Sequence, residues 1–90
     1  MNLDIKNKVA IVTGSSKGMG LAICEAMLKE GVKVMMVSRN EKALMELKLR
    51  FSDQKFEVDY YAGDVSSPDL HQKVIKKTLN RWGSIHILIN

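Results

Sequence analysis

The 90-residue chain has few of the residues that cross-link or anchor a small protein. Its one cysteine, Cys24, excludes an internal disulfide and fits a reducing compartment, so we expect the protein in the cytoplasm. With only two histidines besides, it has too few ligands for a metal site. No apolar run reaches the roughly 18 residues that span a bilayer, and residues 1–8 lack the apolar stretch of a signal peptide. We therefore expect neither a metal nor a membrane partner.

Aromatic residues are also scarce, and this bears on the positive charge. The net charge is +4, and Lys73, Lys76, Lys77 and Arg81 have the spacing of one helix face. No aromatic residues alternate with them, as a surface that stacks nucleic-acid bases would need. The pattern favours a solvated helix face, and we expect no nucleic-acid partner.

Apolar periodicity divides the chain into alternating strands and helices. Apolar runs with β-branched residues predict strands at residues 8–12, 32–37, 56–62 and 85–89. Helical spacing predicts three helices, over residues 21–30, 41–50 and 68–82. Asn40 is placed to cap the second helix, and Ser67 with Pro68 to start the third.

The same spacing assigns inner helix faces and a fold. Ile23, Ala26 and Met27 are predicted to face inward on the first helix. On the third helix the predicted inner residues are Leu70, Val74, Thr78 and the pair Leu79 and Trp82. Right-handed crossovers between the strands predict an α/β fold, a Rossmann-like three-layer sandwich. Its parallel sheet of about four strands would have the order 3-2-1-4.

The most informative segment is the turn after the first strand, Thr13-Gly14-Ser15-Ser16-Lys17-Gly18-Met19-Gly20. A strand that runs through a glycine-rich turn into a helix is typical of a dinucleotide phosphate cradle. Gly14 permits the tight turn, Gly18 lets a pyrophosphate approach the backbone, and Gly20 lets the helix pack closely. The helix N-terminus would then direct unpaired N–H groups at the phosphates. A P-loop is excluded, because no Gly-Lys-Ser/Thr sequence occurs.

The pattern T-G-x-x-x-G-x-G after a first strand resembles the short-chain dehydrogenase/reductase family. Residues 18–40 are similar to that family's first helix, second strand and following turn, and Asp64-Val65 occupies the place of its acidic residue near adenine. Residues 85–90 resemble the fourth strand running into an Asn-Asn-Ala-Gly motif, with Asn90 as its first residue. The resemblance covers the whole chain but only the N-terminal part of a family member, so residues 1–90 would form a dinucleotide-binding half-domain.

The resemblance and the residue chemistry together predict a cofactor site. It comprises Thr13, Gly14, Ser15, Ser16, Lys17, Gly18, Met19, Gly20, Ser38, Arg39, Asn40, Asp64, Val65 and Asn90. The Thr13 and Ser15 hydroxyls lie close to the predicted phosphates, although turn chemistry alone explains them equally simply. Asp64 would accept the adenine amino group, or else serve only as a turn residue.

The end of the second strand indicates which nicotinamide dinucleotide is bound. An acidic residue there holds the ribose 2′-hydroxyl in NAD proteins, whereas this chain has Ser38-Arg39. A guanidinium can grip a 2′-phosphate, and Lys17 adds a second positive charge. In the resembling family, basic residues at these two places accompany NADP(H). We therefore predict NADP(H) as the cofactor.

A proton donor for hydride chemistry is missing from the chain. The family uses a Tyr-x-x-x-Lys pair, but the residues four after Tyr60 and Tyr61 are Asp64 and Val65. No catalytic residue is assigned, and we expect the chain to be the cofactor-binding portion of an NADP-dependent oxidoreductase, inactive by itself. Two alternatives stay open: a non-catalytic nucleotide-binding module, and a decayed fragment that persists as a self-associating fold.

The fourth strand leads us to expect a homo-oligomer. In a complete sheet of this type it would be an interior strand, whereas here it has one neighbour. Its far edge would present unpaired N–H and C=O groups along an apolar segment that contains neither proline nor lysine. We expect copies of the chain to pair through this edge, most simply with twofold symmetry.

Overall fold

The computed structural model describes residues 4–90; residues 1–3, the start of the polar amino-terminal segment, lie outside that range. Strands and helices alternate as β1 (Val9–Thr13), α1 (Gly18–Lys29), β2 (Lys33–Ser38), α2 (Glu41–Asp53), β3 (Val58–Ala62), α3 (Leu70–Trp82) and β4 (Ile87–Ile89). All three strand pairs are parallel. The order β3-β2-β1-β4 confirms the predicted Rossmann-like topology.

The sheet separates two layers of core. On one face α1 and α2 pack over the strands, and α2 contributes the buried stripe Leu44, Leu47 and Phe51. On the other face α3 packs alone, through Leu70 and Val74. Because β1 and β2 are covered on both faces, their residues are buried almost without interruption, as the continuous apolar runs predicted.

The outer strand β3 carries a carboxylate, Asp59, that is only 7% exposed. Its Oδ1 accepts the Tyr60 N–H at 2.8 Å and Lys48 Nζ at 3.1 Å, and Lys77 Nζ lies 3.7 Å away. Arg81 Nε lies 3.6 Å from Oδ2. Burial alone would raise the pKa of Asp59, but the Tyr60 N–H, Lys48 and Lys77 hold it below the usual value. We call these four charged side chains the Asp59 cluster; it ties α2 and α3 to β3.

Several elements begin at other residues than the sequence predicted. α1 begins at Gly18, three residues early, while β3 and β4 each begin two residues late. The predicted start of α3 is wrong: Leu70 N bonds Ser67 O at 3.2 Å in a separate turn, and the helix begins at Leu70. Ser67 is therefore not its cap, and Pro68 is not its first residue.

The predicted inner face of α1 is rotated, and that of α3 is wrong at one residue. α1 buries Cys24 and Leu28, whereas Ala26 is exposed. On α3 the predicted inner residues Leu70, Val74 and Thr78 are buried and Trp82 packs against them, whereas Leu79 is wrong, being 43% exposed. Neighbouring helix positions differ by about 100°, so a shift of one residue in the inner stripe exchanges buried and exposed sites. Within residues 4–90, no helix is long and apolar enough to cross a bilayer.

Candidate functional site

A cleft of about 480 Å³ opens at the carboxyl ends of the strands. It lies beside β1, where the strand order reverses: the connection from β1 leads to β2 on one side, and the connection from β3 returns to β4 on the other. Such a switch point is where α/β sheets bind ligands. The residues that line it are Thr13, Gly14, Ser16, Lys17, Ser38, Arg39, Asn40, Gly63, Val65 and Asn90. Apart from Gly63, all belong to the predicted set. Gly63 follows β3 without any motif, so the sequence carried no signal for it.

Three glycines shape the turn that forms one wall of the cleft. Gly14 and Gly18 have φ of 63° and 59°, a region that other residues seldom adopt. A Cβ at Gly20 would lie 2.0 Å from the carbonyl oxygen of Gly14, so only glycine lets the helix approach the turn this closely. The close packing predicted for Gly20 is thus made against the turn backbone.

The N-terminus of α1 has no side-chain cap. Its N-cap residue, Lys17, is extended and makes no capping bond, and the first turn contains no acidic residue. The first N–H groups of the helix therefore lack side-chain acceptors, and the positive end of the helix dipole is uncompensated. Such a terminus is suited to an anion.

Five predicted site residues do not line the cleft: Ser15, Gly18, Met19, Gly20 and Asp64. Ser15 is fully buried, and its Oγ accepts the Val37 N–H at 3.1 Å, so this hydroxyl fixes the turn to β2. Met19 is 80% exposed on the first turn of α1 and takes no part in the core. Their contact with a cofactor stays a prediction.

The Asp64 side chain forms its hydrogen bonds within its own loop. Its Oδ1 accepts the backbone N–H of Ser66 at 2.9 Å and the Ser66 hydroxyl at 2.8 Å. These two bonds, with a smaller effect of the Arg39 guanidinium, hold the pKa of Asp64 below its usual value. The carboxylate is thus ionised at neutral pH. Asp64 is exposed, and since Oδ1 already accepts two hydrogen bonds, Oδ2 is the oxygen available for the predicted bond to adenine.

Hydroxyl groups join the turns around the cleft. Thr13 Oγ1 donates to Ile89 O at 3.2 Å, which links β1 to β4. Ser38 Oγ lies 2.8 Å from Ser16 Oγ and accepts the Asn40 N–H at 3.2 Å. The Thr13–Ile89 and Ser16–Ser38 links were not predictable from the sequence, because their partners are far apart along the chain.

The turn after β2 has the predicted cap. Asn40 Oδ1 accepts the Ala43 N–H at 3.1 Å, which confirms Asn40 as the N-cap of α2. Its side chain is therefore occupied, while Arg39 beside it is exposed. Arg39 and Lys17 carry the only charged side chains among the residues that line the cleft, and both are cationic. The cleft is therefore suited to a phosphorylated ligand.

A glycine turn, an uncapped helix and a cleft at the switch point define a dinucleotide-binding α/β protein. A family model described as short chain dehydrogenase matches residues 8–90. The chain therefore belongs to the short-chain dehydrogenase family.

Individual relatives agree with the family model. Dehydrogenase/reductase SDR family member 4 of Caenorhabditis elegans is 41% identical over 94% of this chain and 33% of its own. L-sorbose reductase from Gluconobacter frateurii, solved with NADPH and L-sorbose, superposes with a TM-score of 0.94 at 35% identity, over 100% of this chain and 35% of its own. A Burkholderia phymatum family member in complex with NAD gives 0.91 at 28% identity, over 97% and 31%. The chain thus spans about a third of the length of these relatives.

Proposed function

We propose that residues 1–90 form the NADP(H)-binding half-domain of an oxidoreductase that interconverts a carbonyl and an alcohol. The observation that carries this proposal is the pairing of an uncapped helix N-terminus with two cationic side chains, Lys17 and Arg39, among the residues that line one cleft. The helix end is suited to the pyrophosphate, and the cations to a further phosphate group. When bound, the nicotinamide ring supplies or accepts the hydride.

NADP(H) is preferred over NAD(H) in this proposal because of the charges at the β2 end of the cleft. Relatives of similar fold have been solved with NADPH and with NAD, so the choice between the two cofactors has to be argued from the residues of this chain. An aspartate in place of Arg39 would repel a 2′-phosphate, whereas the guanidinium attracts it, and Lys17 stands in the facing turn. The pair supplies two positive charges for a dianionic group.

Titration of NADPH and NADH, followed by nucleotide fluorescence or calorimetry, tests the assignment. The wild-type chain should bind NADPH more tightly, and Arg39→Asp should reverse the preference, with a swing of about tenfold or more. Lys76→Asp on the exposed face of α3 is the matched control: it changes net charge equally and should leave the ratio unchanged. Equal affinity for both nucleotides in the wild type would contradict the proposal.

We further propose that this chain alone does not turn over substrate. Its two tyrosines lie on β3 outside the cleft: Lys77 Nζ is 5.1 Å from the ring centre of Tyr60, and Tyr61 packs with the α3 face. Neither is placed to protonate a carbonyl at the cofactor. Purified chain should oxidise NADPH with a panel of carbonyl compounds no faster than buffer does. Turnover that disappears in a Gly18→Trp variant would overturn this statement.

A second proposal is that the chain self-associates through β4. Leu88 on this strand is 61% exposed, and it borders an apolar groove of about 110 Å³ beside α3. Light scattering should show a dimer or larger species, and Leu88→Lys should shift it to monomer. Leu49→Lys, at a 71% exposed site on α2, is the control. A wild-type chain that stays monomeric at high concentration would refute the idea.

The location we propose is the cytoplasm, because a single free cysteine suits a reducing compartment.

A further inference from the structure

The start of β4 is held to β1 by a reciprocal pair of hydrogen bonds, one of which is made by a side chain. His86 N donates to Val9 O at 2.9 Å, and His86 Nδ1 accepts the Val9 N–H at 3.0 Å. Val9 is buried, whereas His86 is exposed. The N–H of the first residue of β1 therefore depends on an imidazole nitrogen that belongs to a solvent-exposed ring.

This pair of bonds is important because β4 has few other attachments. The strand has three residues, and its register pairs join it to β1 alone. Its inner side chains, Ile87 and Ile89, pack against the core, and Thr13 Oγ1 donates to Ile89 O at 3.2 Å. Asn90, the next residue, lines the cleft. A change at the start of β4 thus bears on one wall of the cleft.

Only a neutral imidazole can accept the bond from Val9. Its hydrogen then lies on Nε2, and Nδ1 offers a lone pair, whereas an imidazolium carries a hydrogen on both nitrogens and would set one donor against another. Histidine is the side chain that ordinarily changes its charge between about pH 5 and pH 8. The stability that this bond contributes is therefore present where the ring is neutral and is lost as the pH falls through that range.

No salt bridge would replace the lost bond. The charged residues on the segments that adjoin His86 are Asp4, Lys6 and Lys8 before β1, Lys33 at the start of β2, and Arg81 at the end of α3. Within residues 4–90, none of the carboxylates forms an ion pair with the imidazole, and Arg81 belongs to the Asp59 cluster on the opposite side of the sheet.

We propose that protonation of His86 releases the start of β4 from β1, so that this edge of the sheet loosens as the medium becomes acidic. Carboxylates do not account for a change in the same range, because they ordinarily titrate near about pH 4, and the pKa of Asp59 is lowered further. The inference goes beyond the proposed function and holds whether or not the cleft binds NADP(H).

Hydrogen exchange at the Val9 amide tests the proposal, when it is expressed as a protection factor that removes the intrinsic pH dependence of exchange. Between about pH 8 and about pH 5, protection in the wild type should fall about fivefold, which corresponds to the loss of one hydrogen bond. His86→Asn offers an amide oxygen close to the position of Nδ1 at every pH, so its protection should change less than about twofold. His71→Asn removes the other histidine, on the exposed side of α3, and should respond as the wild type does.

The ring nitrogens give a second readout that a merely structural role would not require. At a pH where the ring is neutral, nitrogen chemical shifts of His86 should place the hydrogen on Nε2, and a hydrogen on Nδ1 would overturn the inference. So would wild-type protection that does not vary with pH. An equal fall in the wild type and in His86→Asn would also overturn it, because acid would then act on another group.

Discussion

The two outer strands of the sheet, β3 and β4, differ in the charge and polarity of the side chains at their edges. β3 carries the Asp59 cluster, in which cations from both α2 and α3 converge on one carboxylate. In addition, Lys77 Nζ donates to the Tyr60 carbonyl of the strand. On the opposite side, the described part of β4 has no ion pair, and Leu88 at its centre is 61% exposed. One edge is charged and closed, and the other is apolar and open.

The difference shows which side of the sheet is adapted to water. Charged side chains at an edge strand discourage pairing with further strands, because a new neighbour would have to desolvate them. An exposed leucine beside an apolar groove presents no such obstacle. The β3 edge is therefore built to be the last strand, while the β4 edge suits a further neighbour, whether a second copy or more of the same polypeptide.

The largest effect is expected from a charge on the inner side of the open strand. Ile87 packs against the core shared with α1 and α2. Ile87→Lys should lower the free energy of unfolding by about 3 kcal/mol, since it replaces an apolar contact at a half-buried position with a charged side chain that is partly desolvated. Leu88→Lys, one residue away on the exposed face, should cost little. Urea denaturation followed by circular dichroism compares the two, and equal losses would show that β4 does not distinguish its faces.

A smaller effect is expected at the closed edge. Asp59→Asn keeps the acceptor for the Tyr60 N–H but removes the charge, and should cost about 1–2 kcal/mol at neutral pH. Because the folded pKa of Asp59 is lowered, its contribution is present above about pH 4 and is lost as the pH falls through the folded value. Wild type and variant should thus converge in strong acid. Asp4→Asn, at an exposed site, is the control, and a constant gap at every pH would contradict the argument.

The smallest effect concerns the bond that aligns β4 with β1. His86 Nδ1 accepts the Val9 N–H at 3.0 Å, and His86 N donates to Val9 O at 2.9 Å. His86→Ala leaves the Val9 N–H dependent on water, at a cost of about 1 kcal/mol. Hydrogen exchange at Val9 should accelerate in this variant. His71→Ala on the exposed side of α3 should not affect that amide.

The fold was predictable from the sequence because its signals are local and repeated. Apolar runs predicted all four strands, and short connections with right-handed crossovers predicted their order. The errors lie where helix propensity and tertiary contact disagree. Ser67-Pro68 has the composition of a helix start, yet a separate turn precedes Leu70. The phase of α1 was missed because small and apolar residues occur around most of its circumference.

The residues of the glycine turn in the cleft followed from their own motif, since residues adjacent in a motif stay adjacent in space, whereas those after β2, β3 and β4 were identified from the strand ends and the family resemblance. The hydrogen bond between Ser16 and Ser38 inside the cleft could not be predicted from the sequence, because these residues meet only after the sheet brings their two turns together. The same holds for Asp59, whose partners come from α2 and α3. A sequence of alternating residues within β3 gives no hint that this carboxylate is nearly buried.

The rate at which the single thiol is alkylated can report local opening of the fold. Cys24 is fully buried in α1, and burial, aided by the neighbouring charge of Glu25, raises its pKa to about 12. At pH 8 about one thiol in ten thousand is therefore ionised in the closed form, and none of its surface meets solvent. Alkylating reagents can modify it only when α1 lifts from the sheet. The rate of labelling thus reports how often the wall of the nucleotide cleft comes apart, and a bound cofactor would slow that rate in proportion to its occupancy.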